Sequence, residues 1–240
     1  MSFLNHFLIV YSGTLLVLSV DPVKSDKRTV EDFVNIIRSV ESFIEGVKIG
    51  LPFLLKYGSE SLSSLRRFFG KMIIADLKLA DIGDIMFEST EYLAEKGVDA
   101  IIAHSFTGRK GAIEDLAEKL KEIGVKLILV VSMSHSGSTE YVDKHVDEFA
   151  KMAVEIGAFG VVAPATRPEI VSRVRSLVGS GVKIFSPGIG AQGGTPGEAI
   201  CHGADYEIVG RRIIYSQNPV AEAVNVKKIQ AEVVSRCRSS

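Results

Sequence analysis

A chain of 240 residues, 46% apolar and 24% charged, can bury one substantial core and has the balance of an ordinary globular protein. Its 28 basic and 29 acidic side chains give a formal net charge of -1, which argues against a broad nucleic-acid surface, so any phosphate recognition must be local. Cys201 and Cys237 are too few and too scattered for a disulfide framework or a zinc knuckle, so a reducing, cytoplasmic setting is expected.

Residues 1–13 carry the apolar Phe3, Leu4, Phe7, Leu8, Ile9 and Val10. They lack a basic leader and a small-residue cleavage site, and read as an N-terminal extension packing on the folded body of the chain rather than a signal peptide. No run reaches the roughly 18 apolar residues of a membrane span. From residue 14 onward, short β-branched apolar runs alternate with stretches of helical spacing, and Gly or Pro often marks the joints. The predicted strands are 15–20, 46–50, 72–77, 100–103, 126–131, 160–163, 183–186 and 206–210. The predicted helices lie at 30–45, 52–69, 84–96, 112–123, 139–156, 168–178, 195–201 and 219–236. Continuously apolar strands imply burial on both faces, as in a parallel sheet covered by helices. Eight strand–helix units over residues 14–240 therefore predict an α/β fold, a single-domain (β/α)8 TIM barrel. In that fold the active site lies at the C-terminal ends of the strands.

Charged residues gather at those ends. The first strand closes on Ser19-Val20-Asp21-Pro22, the second carries Val47-Lys48-Ile49-Gly50, and the third ends Asp76-Leu77-Lys78-Leu79-Ala80-Asp81-Ile82. Residues two apart on a strand share a face, so Asp76 and Lys78 are expected to point together into the barrel mouth. A structural ion pair at the rim would explain these two alone. Asp21 and Lys48, converging from neighbouring strands, shift the reading towards a catalytic array in which each charge holds its neighbour ionised. A lysine so held is a preorganised proton donor, and a carboxylate beside it can repel a substrate anion.

The late strands suggest an anion site. Ser186-Pro187-Gly188-Ile189-Gly190-Ala191-Gln192-Gly193-Gly194-Thr195 runs on from strand seven, and Val209-Gly210-Arg211-Arg212 ends strand eight. One glycine-rich loop is often only a turn. Paired with an arginine at the next strand end, in the place where barrels commonly bind phosphate, it reads as a phosphate grip. Ser134 and His135 are sequence neighbours, which rarely gives triad geometry, so Ser134 is expected to bond a polar ring rather than act as a nucleophile. His104 reads as a structural donor, and with no convincing set of ligands no metal and no cofactor are expected.

These segments resemble the orotidine 5′-monophosphate decarboxylase family, in its short archaeal or bacterial form. The matching stretches are Leu18–Asp21, Val47–Gly50, Asp76–Ile82, Met133–Gly137, Ser186–Gly194 and Val209–Arg211, in the family's order and spacing. The resemblance implies cofactor-independent conversion of orotidine 5′-monophosphate (OMP) to UMP and carbon dioxide in pyrimidine biosynthesis. It implies that Lys78 protonates C6, that Asp76 faces the substrate carboxylate, and that Lys48 links this array to the ribose. Asp21 would accept from a ribose hydroxyl and Ser134 would bond the pyrimidine. Pro187, Gly188, Gln192, Gly210 and Arg211 would surround the phosphate arm. Asp81 and Ile82 would reach into the partner's site of a homodimer.

Two departures stand out. Gly83-Asp84-Ile85 replaces the family's frequent Pro-Asn-Thr, which removes a threonine hydroxyl at Ile85, and Ser136 stands where proline is usual. A magnesium-dependent decarboxylase or aldolase of sugar phosphates would share the Asp-x-Lys-x-x-Asp strand but needs an acidic ligand after strand two, where Gly50-Leu51-Pro52 stands. A non-catalytic phosphate sensor would have no reason to keep four charges at a barrel mouth.

Overall fold

The computed structural model describes residues 15–239, so the expected N-terminal extension lies outside the described residues. Eight parallel strands close on themselves in sequence order. They are β1 (Leu15–Val20), β2 (Gly46–Gly50), β3 (Met72–Leu79), β4 (Ala100–His104), β5 (Lys126–Val130), β6 (Gly160–Val162), β7 (Lys183–Pro187) and β8 (Tyr206–Val209). Among the described residues ten α-helices follow the strands: α1 (Val30–Val40), α2 (Leu51–Tyr57), α3 (Glu60–Phe68), α4 (Gly83–Ala94), α5 (Glu114–Glu122), α6 (Val146–Glu155), α7 (Pro168–Val178), α8 (Glu198–Cys201), α9 (Arg211–Ile214) and α10 (Pro219–Arg238). The eight-unit expectation therefore holds, with refinements. The predicted 52–69 helix is two helices, broken at Gly58, whose φ of 75° only glycine adopts readily.

Side-chain alternation sorts the strands into two cores. Val17, Ile74, Ile102, Ile128, Val130, Val162, Phe185 and Ile208 fill the barrel interior. Their neighbours, such as Leu16, Leu18, Ile73 and Ile101, pack outward against the helices. The inward set continues upward by twos, from Val17 through Ser19 to Asp21, from Ile74 to Asp76, and from Ile208 to Gly210. The period that buries the core thus delivers the site residues to the mouth.

At the opposite end two arginines clamp the strand starts in the same way. Arg66 on α3 holds the carbonyls of Phe69, Lys71 and Gly97 and the carboxylate of Asp99, which accepts from Ile73 N. Arg175 on α7 repeats this with Gly179, Val182, Gly203 and Asp205, which accepts from Ile184 N. The two halves of the barrel are braced alike, which leaves the mouth free to differ.

The cysteine reading is corrected. Cys201 on α8 and Cys237 on α10 form a disulfide with Cα atoms 6.0 Å apart. Residues 36 apart in sequence meet because the last helix returns over α8, where a buried Glu207 accepts from Gly197 N and from Gln230 Nε2. Closing a loop of that length stabilises by about 4 kcal/mol in the chain-entropy picture. The argument for a reducing compartment from unpaired thiols falls with it.

Candidate active site

Lys48 sits at the centre of an ion array across three strands. Its Nζ lies 3.0 Å from Asp21 Oδ2 and 2.9 Å from Asp76 Oδ2. Lys78 Nζ lies 2.8 and 2.9 Å from the two oxygens of the same Asp76 carboxylate. The order across the mouth is Asp21, Lys48, Asp76, Lys78, with charges alternating. Burial opposes the charge on Lys48, but Asp76 and Asp21 outweigh it and hold the ammonium above the ordinary lysine value. Burial likewise pushes the Asp76 carboxyl up, and Lys48 with Lys78 overcomes this and holds it below the ordinary aspartate value. A carboxyl held low stabilises the fold at pH above the ordinary carboxylate range, and that stabilisation is lost as pH falls through its folded value.

Lys78 reaches this position by a route that strand alternation did not anticipate. Its φ is +47°, the one non-glycine residue in the left-handed region among those described. The register explains it: from Ala75 to Leu79 β3 advances four residues while β4 advances only two, from Ile101 to Ala103. A bulge holds the surplus and turns the lysine over the mouth. Gly50 is required for a different reason, since a Cβ there would lie 1.8 Å from Asp21 Oδ1. Any side chain at 50 would push Asp21 off Lys48.

The array forms one wall of a cavity of about 320 Å³. Its floor is apolar, from Ile102, Val130, Val162 and Ile208, and its far wall is built by Ser134, Pro187, Gly188, Gln192, Gly210 and Arg211. Gly188, at φ +111°, lets Gln192, Ser134 and Thr166 crowd together, with a Cβ position 3.3 Å from Gln192 Oε1. Of the two adjacent arginines, Arg212 pairs with Glu222, while Arg211 points a cation into the cavity and makes no ion pair among the described residues. The cavity is thus charged at one end, apolar below and cationic at the other, the shape of a site for a phosphorylated polar ring. Ten of the twelve expected site residues line it. Asp81 and Ile82 do not: Asp81 is exposed and accepts from Ile82 N at 2.7 Å, and Ile82 is 58% exposed.

Residues 14–226 match the model of the orotidine 5′-phosphate decarboxylase / HUMPS family. The chain belongs to this family. A curated orotidine 5′-phosphate decarboxylase of Aeropyrum pernix is 44% identical over 92% of this chain and 89% of its own length. That of Pyrococcus furiosus is 39% identical over 91% and 97%. Among solved structures, the orotidine 5′-monophosphate decarboxylase of Sulfolobus solfataricus superposes with a TM-score of 0.81 at 33% identity, covering 92% of this chain and 99% of that one. The Methanocaldococcus jannaschii enzyme, solved with the inhibitor BMP, gives 0.82 at 29% identity over 90% and 98%.

Two features of this family member escaped the sequence reading. Ser19 donates to Asp21 Oδ2 at 2.7 Å, and its position two residues before Asp21 was the available signal. Tyr215, one helical turn after Arg211, lines the cavity; its hydroxyl accepts from Val23 N and donates to Asp26, both at 2.9 Å. It ties the loop after β1 to the arm that carries Arg211. His104, expected as a structural donor, is half-buried with an Nδ1 that has no hydrogen-bond partner among the described residues; burial together with the nearby Lys78 charge lowers its pKa, which favours the neutral ring.

Proposed function

We propose that this chain performs the orotidine 5′-monophosphate decarboxylation for which its relatives are named, with Lys78 as the proton donor to C6. The observation that carries this is the Asp21–Lys48–Asp76–Lys78 array standing over an apolar floor, across one cavity from Arg211. With its phosphate on Arg211 and Gln192 and its base near Ser134, a nucleotide would turn its reacting carbon towards Lys78 and Asp76. The ionised Asp76 would repel the substrate carboxylate. As carbon dioxide leaves, the electron pair of the broken bond stays on C6, where the Lys78 ammonium stabilises it and then delivers its proton. Asp21 and Lys48 would bond the ribose and hold Asp76 in place. No electron sink is invoked, because the fixed charges of the array would supply the stabilisation.

The family also covers metal-assisted sugar-phosphate chemistry, but Asp21 fills the space at the end of β2 where an acidic ligand would stand. Mixing the protein with OMP is expected to give a progressive loss of the substrate's absorbance, unchanged by EDTA. Absence of turnover, or turnover that EDTA stops, would refute the reading.

The active unit would be a homodimer. A second, more open recess lies beside the array, lined by Gly50, Leu51, Pro52 and Leu77 together with Asp21, Lys48, Asp76 and Lys78. In the segments that follow β2, β3 and β4, Leu51, Leu55, Ile82, Ile85 and Phe106 are all at least 46% exposed, and Asp81 beside Ile82 is exposed as well. A second copy docked there would cover these apolar side chains and bring its own Asp81 and Ile82 to the recess. Mixing Lys78→Ala with Asp81→Ala protein tests this. Each variant alone is expected to be nearly inactive, while exchanged subunits regain up to about a quarter of wild-type activity, since half the dimers are mixed and carry one intact site. If mixing restores nothing, Asp81 serves its own chain. Cytoplasmic residence, no longer supported by the cysteines, rests within this proposal on the biosynthetic role alone.

A further inference from the structure

The loop after β5 carries Met133 and Ser134 into the cavity wall, yet its fixed points lie outside the cavity. Met133 N donates to Ser138 Oγ at 3.1 Å, and Met133 O accepts from the Arg167 guanidinium. Ser134 O accepts from Thr166 Oγ1 at 3.3 Å, and His135 O from Arg167 Nη1 at 3.4 Å. Side chains from two neighbouring segments therefore hold three consecutive residues by their backbones.

Ser138 and Arg167 meet at Asp143, in a 3-10 turn, Val142–His145. Its Oδ1 accepts from Ser132 Oγ and from Ser138 Oγ, both at 2.6 Å, and its Oδ2 lies 3.0 Å from Arg167 Nη2. The Asp143 side chain is only 10% exposed and Arg167 17%, while Ser132 and Ser138 are buried. Neither Asp143 nor Arg167 lines the cavity. A buried carboxylate that orients the Ser138 hydroxyl and the Arg167 guanidinium, both bound in turn to one loop, sets where that loop stands, and Ser132, which donates to Asp143 and accepts from Arg167, completes the cluster.

We propose that Asp143 is a positioning residue for base recognition, holding Ser134 at the pyrimidine ring; this rests on the reading that Ser134 bonds the base. Without Asp143, Arg167 loses its counter-charge and Ser138 loses the acceptor that aims it at Met133 N. The loop is then free to drift, and a displacement of about 1 Å is enough to cost roughly 100-fold at a preorganised site. The phosphate end, built on other strands, is untouched. The defect is therefore specific to ligands with a base.

Inhibition constants for UMP and for ribose 5-phosphate, which has no base, test this. In Asp143→Ala the UMP constant is expected to rise roughly 10- to 100-fold with that of ribose 5-phosphate unchanged. Asp143→Asn, which keeps an acceptor for both hydroxyls but sets an amide N–H donor against Arg167, recovers only part of the loss. In a Ser134→Ala background, Asp143→Ala should add nothing further for UMP. Should Asp143→Ala not fold, Ser138→Ala is expected to show the same selective loss at smaller size. Equal weakening of both ligands, or an effect additive with Ser134→Ala, overturns the positioning role. If Ser134→Ala itself leaves UMP binding intact, the base contact is what fails, and the two failures are thereby told apart.

Discussion

Lys78→Ala is expected to lower kcat for OMP by at least about 10⁴-fold, combining loss of a general acid with loss of the charge that stabilises the carbanion. The geometry argues for so large an effect. Lys78 Nζ is held 2.8 and 2.9 Å from the two Asp76 oxygens, and a bulge with a left-handed backbone aims it over the cavity. Strain of that kind persists where the surroundings enforce it, and here it sits at the residue assigned the proton. The variant should still fold, because Asp76 keeps Lys48 at 2.9 Å and no buried charge is orphaned. Lys78→Gly, which relieves the φ of +47°, should be equally inactive and about 1 kcal/mol more stable than Lys78→Ala. UMP binding should change far less than kcat in both, since the lysine acts on the charge that develops at C6 in the transition state and UMP carries none there. Turnover by Lys78→Ala within tenfold of wild type would end the proton-donor assignment.

The contrast between Asp76 and Lys78 shows how far sequence reasoning reaches. Lys48 and Asp76 were legible because strand alternation, which also buries Ile74, sets their direction. Lys78 was assigned the correct side for an incomplete reason: simple alternation cannot show that β3 gains two residues on β4, since that surplus depends on the neighbouring strand. The place of Arg211 on the cavity wall was legible from the fold's habit of building its sites after the last strands. The Asp143–Arg167 hub was not, because isolated charges in polar loops read as solvated surface, and only the folded contact between two loops makes them a brace. The disulfide escaped on the same ground, being fixed by how α10 crosses α8 rather than by any local spacing. Residues whose role comes from their own strand are readable, while those that act through another segment await the fold.

Arg211→Ala is expected to raise KM for OMP by about 10²- to 10³-fold with a smaller fall in kcat, the loss of a bidentate charged contact of about 3–4 kcal/mol. Arg211 opens the short helix α9 directly after β8 and makes no ion pair among the described residues, whereas Arg212 beside it is neutralised by Glu222. Arg211 is exposed and lines the cavity, so its guanidinium is open to an anionic ligand, and the glycine loop across from it, with Gln192, would supply the remaining donors. In the proposed pose the phosphate would lie at the far end of the cavity from Lys78, so its binding energy would raise kcat only by orienting the nucleotide towards the array. The sharpest readout is therefore a ratio. Wild-type protein should prefer UMP over uridine by several orders of magnitude, and Arg211→Ala should lose most of that preference while binding uridine as before. The same ratio in Arg212→Ala should stay near the wild-type value, because that side chain is already occupied by Glu222. Were Arg211→Ala to keep the full preference for UMP, the phosphate would have to sit elsewhere, and the orientation that places C6 at Lys78 would be lost with it.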